Sequence, residues 1–388
     1  MLHKGLFVWQ LVYIVFQSIN LYGIDKDMPQ KESKILFADK LDGNTHKGWI
    51  VPPADYVKHP EFGMVYYIKP QIPPLKSMPH VGNGSWRCYR VELEALPAGL
   101  GMGFFGLDFH VQDNGACSNM HFSDAAADHQ EILQSAVRWN TANTAWKLMP
   151  LSQRRPVFKK NKWISLRVDV GEGLANVYVD SDTLPVYTIY DLPFTGGGIR
   201  FFSYGGSAYI RNLVVTELDN MEVTPLLADD WQPYRDVGVL RNWYVSSLLP
   251  IDFGSQSQIP QLAEAEIGWC EVSADDRGIV NISALFPDNN DKAVVYARTT
   301  IHSADNVTRR CKYSYTDQMS IWCNGQLVVT AKPRGWADPG RGEADGWGRI
   351  IPDQFETSIE LLPGDNVLLL RLQVNEPQFG SGFWFRLQ

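Results

Sequence analysis

The sequence predicts an all-β protein built as two β-sandwich domains, and three observations carry that expectation. The chain has 388 residues, more than one ordinary core encloses and enough for two domains of roughly 150–200 residues each. Hydrophobic residues make up 45%, while 32 Gly and 23 Pro break the chain too often for long helices. Short runs of alternating apolar and polar residues, bounded by Gly, Pro, Asn and Asp, recur along most of its length.

Taken in order, residues 1–23 read as a signal peptide. Met1-Leu2-His3-Lys4 is a cationic start, Leu6 to Phe16 is an apolar stretch, and Gly23 comes next as a small residue for cleavage. Gln10 and Gln17 interrupt a segment already too short for a comfortable span, although a single N-terminal anchor is the alternative. The mature chain is therefore expected to lack a transmembrane span and to be secreted, periplasmic or on the cell surface. The first domain is placed at 34–218. Its strands are expected at Lys34–Phe37, Gly48–Val51, Gly63–Ile68, Trp86–Leu93, Gly106–Val111, Cys117–Phe122, Gln130–Ala136, Trp163–Val170, Ala175–Val179, Gly198–Tyr204 and Ala208–Glu217, with a turn of helix within Asp124–Gln130. Residues 219–234, with the proline-bounded Pro225–Pro233, form the linker. The second domain, 235–388, has strands at Trp243–Ser247, Ala293–Ile301, Met319–Val329, Asn366–Val374 and Gly382–Leu387.

The formal net charge is −8, and the basic residues gather only in the pairs Arg154-Arg155 and Lys159-Lys160. A nucleic acid held by its phosphates needs a basic stripe, so nucleic acid is excluded as a partner. Five cysteines lack any C-x-x-C pair, which removes zinc-ribbon and thioredoxin-type sites. Export permits disulfides, Cys88–Cys117 and Cys311–Cys323 being the pairings within one domain, and buried free thiols are the alternative.

Three neighbouring strands concentrate polar chemistry. In Leu107–Gln112, Leu107, Phe109 and Val111 share one face, and Asp108, His110 and Gln112 the other. In Ser118–Ser123, Asn119 and His121 share the polar face, and His129 and Glu131 are again two apart. Side by side, these strands would bring Asp108, His110, Asn119, His121, His129 and Glu131 onto one surface, beside loops carrying Trp139, Trp146 and Tyr204. Three of the eight histidines lie within these twenty residues. Such a surface is a solvated outer face, a sugar-binding face of planar polar groups backed by aromatic rings, or a site of acid/base or divalent-metal chemistry. The paired-carboxylate strand of retaining glucanases is missing, since Asp108 and Asp113 are oddly spaced and fall on opposite faces. There is also no G-x-S-x-G elbow, P-loop or dinucleotide fingerprint.

Several segments bring a family into view. Phe37-Ala-Asp39 with Gly48-Trp49-Ile-Val51 resembles the opening strands of concanavalin-like, laminin-G-like sandwiches of the 3-keto-disaccharide hydrolase type. Lys162 to Val170 with Ala175-Asn-Val-Tyr-Val-Asp180 resembles that family's hairpin, and Gly197 to Phe202 with Tyr209 to Val215 its closing strands. The resemblance covers about residues 34–217 and implies a glycoside-processing activity. His129 stands where that family usually has Glu, and Glu131 where it usually has Gln. Asp317-Gln-Met-Ser-Ile-Trp-Cys-Asn-Gly325 and Leu362 to Arg371 resemble hairpins of galactose-binding-like jelly rolls, with Gly382 to Arg386 as the last strand. The Asn324-Gly325 pair is in addition a type I′ turn signal. Between these hairpins, Arg334 to Arg349 carries Trp336 and Trp347, which could stack a pyranose ring or pack on the domain's own surface.

The sequence thus points to an exported carbohydrate-active protein whose partner is an oligo- or polysaccharide. As a glycoside-processing enzyme it would use Glu131, His129, His121, His110 and Asp108, and such groups could hold a divalent metal, the cofactor being otherwise open. As a glycan-binding protein it would use Asn119, Trp139, Trp146, Tyr204, Trp336 and Trp347. As a structural or adhesive surface protein it would use neither set.

Overall fold

The computed structural model describes residues 34–70, 77–100, 103–123, 132–139, 146–152, 158–159, 161–181, 183–218, 238–255, 257, 267–333, 350, 352–375 and 380–388. Fifteen strands precede residue 218: β1 (Ile35–Asp39), β2 (Trp49–Val51), β3 (Tyr56–His59), β4 (Gly63–Ile68), β5 (His80–Val81), β6 (Tyr89–Ala98), β7 (Phe104–Val111), β8 (Cys117–Ser123), β9 (Ile132–Arg138), β10 (Trp146–Ser152), β11 (Ile164–Val170), β12 (Ala175–Val179), β13 (Tyr187–Ile189), β14 (Gly198–Tyr204) and β15 (Ser207–Glu217). They form an eight-stranded sheet in the order β13-β12-β11-β6-β15-β4-β3, with β1 beside β15, and a seven-stranded sheet in the order β10-β9-β8-β7-β14-β5-β2. The central pairings are antiparallel.

Alternation decides what each face does. On β6, Tyr89, Val91, Leu93 and Ala95 enter the core, while Arg90, Glu92 and Glu94 face outward. From the other sheet, Phe105, Leu107, Phe109, Met120, Phe122, Ile199 and Phe201 join the same core. Each such side chain is worth about 1.5–3 kcal/mol on burial.

The remaining strands are β16 (Asn242–Ser246), β17 (Leu249–Pro250), β18 (Trp269–Ser273), β19 (Ile279–Asn281), β20 (Ala293–Ser303), β21 (Val307–Tyr315), β22 (Gln318–Cys323), β23 (Gln326–Thr330), β24 (Phe355–Leu361), β25 (Gly364–Val374) and β26 (Gly382–Leu387), with one helical turn, α1 (Ile282–Leu285). They make a seven-stranded sheet, β18-β16-β20-β25-β22-β23 with β17 beside β20, and a four-stranded sheet, β19-β26-β21-β24. Trp243, Val295, Ile321 and Leu370 of the first meet Tyr313, Ile359, Phe383 and Phe385 of the second in one core. The Asn-Gly turn signal holds: Asn324 and Gly325 join β22 to β23 at φ 48° and 82°, the positive values a type I′ turn needs.

The all-β expectation is borne out, and β4, β12, β14 and β26 fall where alternation puts them. β21 and β24 escape it because the exposed Arg309, Arg310, Glu356 and Glu360 dilute the apolar signal. All five cysteines are free thiols, so neither Cys88–Cys117 nor Cys311–Cys323 is bridged. Among the described residues no helix is long and apolar enough to cross a membrane. The signal segment 1–23, the helical turn at Asp124–Gln130 and the linker 219–234 lie outside the described residues.

Residues Ile35–Gln388 form one compact unit. Trp384 of β26 packs into the same core as Val177 and Tyr187, and its Nε1 donates to the carbonyl of Arg277 at 2.8 Å. Arg277, buried and paired with Asp275 at 2.7 Å, donates onward to the carbonyl of Thr188 and stacks on Tyr190 at 4.5 Å. Lys147 of β10 reaches Asn290 at 3.2 Å.

Candidate functional site

The outer face of the seven-stranded sheet carries the polar chemistry. Antiparallel register sets Arg200 opposite Asp108 and Asp108 opposite Asn119, and directly opposed residues project to the same side. Asn119 donates through Nδ2 to Asp108 Oδ1 at 2.7 Å, and Arg200 Nε donates to Asp108 Oδ2 at 2.7 Å. His121 Nδ1 lies 2.6 Å from Asn119 Oδ1. The row Arg200–Asp108–Asn119–His121 is a continuous hydrogen-bonded chain, and every member is buried. Burial works against the charge on Arg200, but Asp108 outweighs it and raises the guanidinium pKa. Beside them, burial pushes the Cys117 thiol far above its ordinary range, with Asp108 adding to the effect.

At the far end of the row, Phe104 meets the His121 ring edge-on at 4.8 Å, and Tyr204 lies 6.1 Å from Phe104. Tyr204 is 48% exposed. At the near end the face opens into a groove of about 280 Å³, close to the lower end of the roughly 300–1,000 Å³ of small-molecule sites. Arg200 lines its floor; β5, the turn 112–115 and Ile50 form its walls.

The groove exists because glycines leave room for it. A Cβ on Gly198 would run into the carbonyl oxygen of Val81, and one on Gly197, at φ 147°, into the backbone of His110. Backbones therefore close in around a groove to which Arg200 contributes its side chain. Its rim keeps spare hydrogen-bonding atoms after local structure has used the others. Asn83 spends its oxygen on Ser85, Asn114 spends its oxygen on the Ala116 N–H, and Gln112 spends its nitrogen on the carbonyls of His110 and Gly196. The Asn83 and Asn114 Nδ2 groups remain as donors, and Gln112 Oε1 and the Asp113 carboxylate as acceptors.

Several expected site residues stand elsewhere. His110 does not share the face of Asp108 and His121. It sits at φ 51° in a bulge where the β7–β14 register slips between Gly198 and Ile199, and one extra residue reverses the facing of the residues beyond it. Its Nε2 lies 3.0 Å from the Arg87 carbonyl and its ring meets Tyr89 edge-on at 5.8 Å. Burial lowers its pKa, against the pull of that carbonyl. Trp139 packs against Phe194 at 5.7 Å on the core side and does not frame the polar face. Trp146 opens β10 opposite Arg138. His129, Glu131, Trp336 and Trp347 lie outside the described residues. Among the described residues no three His, Cys, Asp or Glu side chains converge as a metal set.

Reading the sequence alone overlooks Arg200 and the groove. The visible signals were Gly196-Gly197-Gly198 two residues before an arginine in an otherwise apolar strand, and the Asp113-Asn114-Gly115 turn.

Fold and site define an all-β protein of paired antiparallel sheets with a polar groove at the end of one outer face. No family model matches the chain, and no curated protein matches its sequence. Among solved structures, the chain is similar to the carbohydrate-binding module CBM66 from Bacillus subtilis, with 16% identity and a TM-score of 0.33 over 44% of this chain and 96% of that one. It is similar to a Bacillus licheniformis β-glucanase at 12% identity and a TM-score of 0.34, over 48% of this chain and all of that one. The galectin LEC-6 of Caenorhabditis elegans matches at 15% identity and a TM-score of 0.25, over 45% of this chain and 99% of that one.

Proposed function

We propose that this chain is an exported carbohydrate-active protein that binds a glycan in the groove between β5, the 112–115 turn and Arg200. The observation that carries the reading is the ring of spare donors and acceptors around the groove, in which Asn83, Gln112 and Asn114 are each held by a bond the other side-chain atom makes. Sugar hydroxyls both give and accept hydrogen bonds, and planar amide, carboxylate and guanidinium groups fixed in advance meet them at low entropic cost. Asp113 is the one carboxylate among its described lining residues, whereas general acid/base cleavage of a glycosidic bond uses a flanking pair. Binding is therefore favoured over hydrolysis there. On this reading 34–218 and 235–388 are two sandwich domains joined by 219–234, and the second braces the first.

A second reading is glycoside processing of the 3-keto-disaccharide hydrolase type. It draws on the chain from Asp108 through Asn119 to His121, which fixes an imidazole as acid/base chemistry requires. One panel tests both. Purified protein is titrated with oligosaccharides of varied composition, and each mixture is assayed for released sugar. Retention weakened at least tenfold in Gln112→Ala, without released sugar, is the expected result. Sugar release that persists in Gln112→Ala and disappears in His121→Gln would replace binding with turnover.

A further inference from the structure

The floor of the groove is charged, and this says what kind of glycan suits it. Arg200 has a side chain only 5% exposed, yet it lines the opening. Its Nε and Nη2 hydrogens are committed to Asp108, the Gly115 carbonyl and Cys117. Its Nη1 has no partner among the described residues and is not closed off from the groove. The Nη1 edge of a permanently charged group is thus left uncommitted beside whatever fills the site.

A guanidinium held in this way prefers an oxyanion to a hydroxyl, because charge-assisted hydrogen bonds are about twice as strong as neutral ones. Little reorganisation is needed, since Asp108 already fixes the plane of the guanidinium from below. We infer that the groove takes an acidic glycan, one whose carboxylate or sulfate oxygens sit on the Nη1 edge of Arg200. Its hydroxyls then lie among Asn83, Gln112 and Asn114 on the rim. Asp113, exposed at the mouth, accepts from hydroxyls further out and weakly repels the acidic group.

This rests on the glycan-binding reading, and the experiment separates the two. The full chain is titrated calorimetrically at low and high salt with three oligosaccharides of matched length: a neutral one, a hexuronate and a sulfated one. At least tenfold tighter binding of one acidic ligand, weakened by salt, is the expected result, and the preferred ligand identifies carboxylate or sulfate as the anion. Arg200→Lys removes the planar donor pair and should abolish the preference. Because Arg200 is buried and that variant can fail to fold, Asp113→Asn supplies the second test. It relieves repulsion at the mouth, and because the lost hydroxyl acceptor affects both ligands alike, the ratio of acidic to neutral affinity should rise about two- to fivefold. Equal affinity for neutral and acidic ligands, or an unchanged preference in Asp113→Asn, would overturn the inference and leave glycan binding standing. Binding of none of the three would overturn both.

Discussion

Asp108 shows how much of this site is held from beneath. Its Oδ1 accepts from Asn119 and its Oδ2 from Arg200, so the carboxylate orients its neighbours and has no oxygen left over for a reacting proton. Removing its charge strands a buried guanidinium, and breaking a buried pair from one side costs about 3–5 kcal/mol. Asp108→Asn should therefore lower the unfolding free energy by that amount, read as a lower urea midpoint at an unchanged denaturant slope. A shift below about 1 kcal/mol would show that Arg200 does not depend on this partner. Alternation was enough to put Asp108, Asn119 and His121 on one face. It could not show that Asp108 is spoken for, because Arg200 is 92 residues away in sequence and nothing local links them.

At the scale of the element, the strand Phe104–Val111 carries both the success and the failure of pattern reading. Leu107 and Phe109 enter the core and Asp108 leaves it, as period 2 requires. His110 then breaks the pattern, since the bulge opposite Gly198 is specified by close backbone approach and not by residue polarity. Gln112, two residues past His110, lines the groove, so the irregularity that misplaces His110 lies beside the site. Gly198→Ala should cost about 1–3 kcal/mol through overpacking against Val81 and weaken glycan binding with it. Gly84→Ala, where an added methyl meets nothing within 4 Å, is the control and should leave the melting temperature in place. Equal melting temperatures for the two variants would remove close packing as the cause of the bulge.

For the whole molecule, the two pairs of sheets meet at a buried junction. Trp384 lies in the core of the first pair, and Arg277 is bonded to Thr188 and stacked on Tyr190 across the junction. A junction this buried should make the chain unfold in one calorimetric transition, and Arg277→Ala should split it into two by leaving Asp275 unpaired and the Thr188 carbonyl unmet. Two transitions in the unaltered protein would contradict this coupling. Composition and alternation made the sheets legible; the junction was not, because Arg277 and Trp384 look like ordinary residues of a turn and a final strand until the two halves meet.

Placement of the sugar is what the account stands on, and a crystal structure of the full chain with the tightest ligand of the oligosaccharide panel tests it most directly. The sugar should lie between β5 and the 112–115 turn, within hydrogen-bond distance of Arg200 Nη1 and the Asn83 amide. A sugar stacked on Tyr204 at the opposite end of the face, or bound to the second pair of sheets, would contradict it.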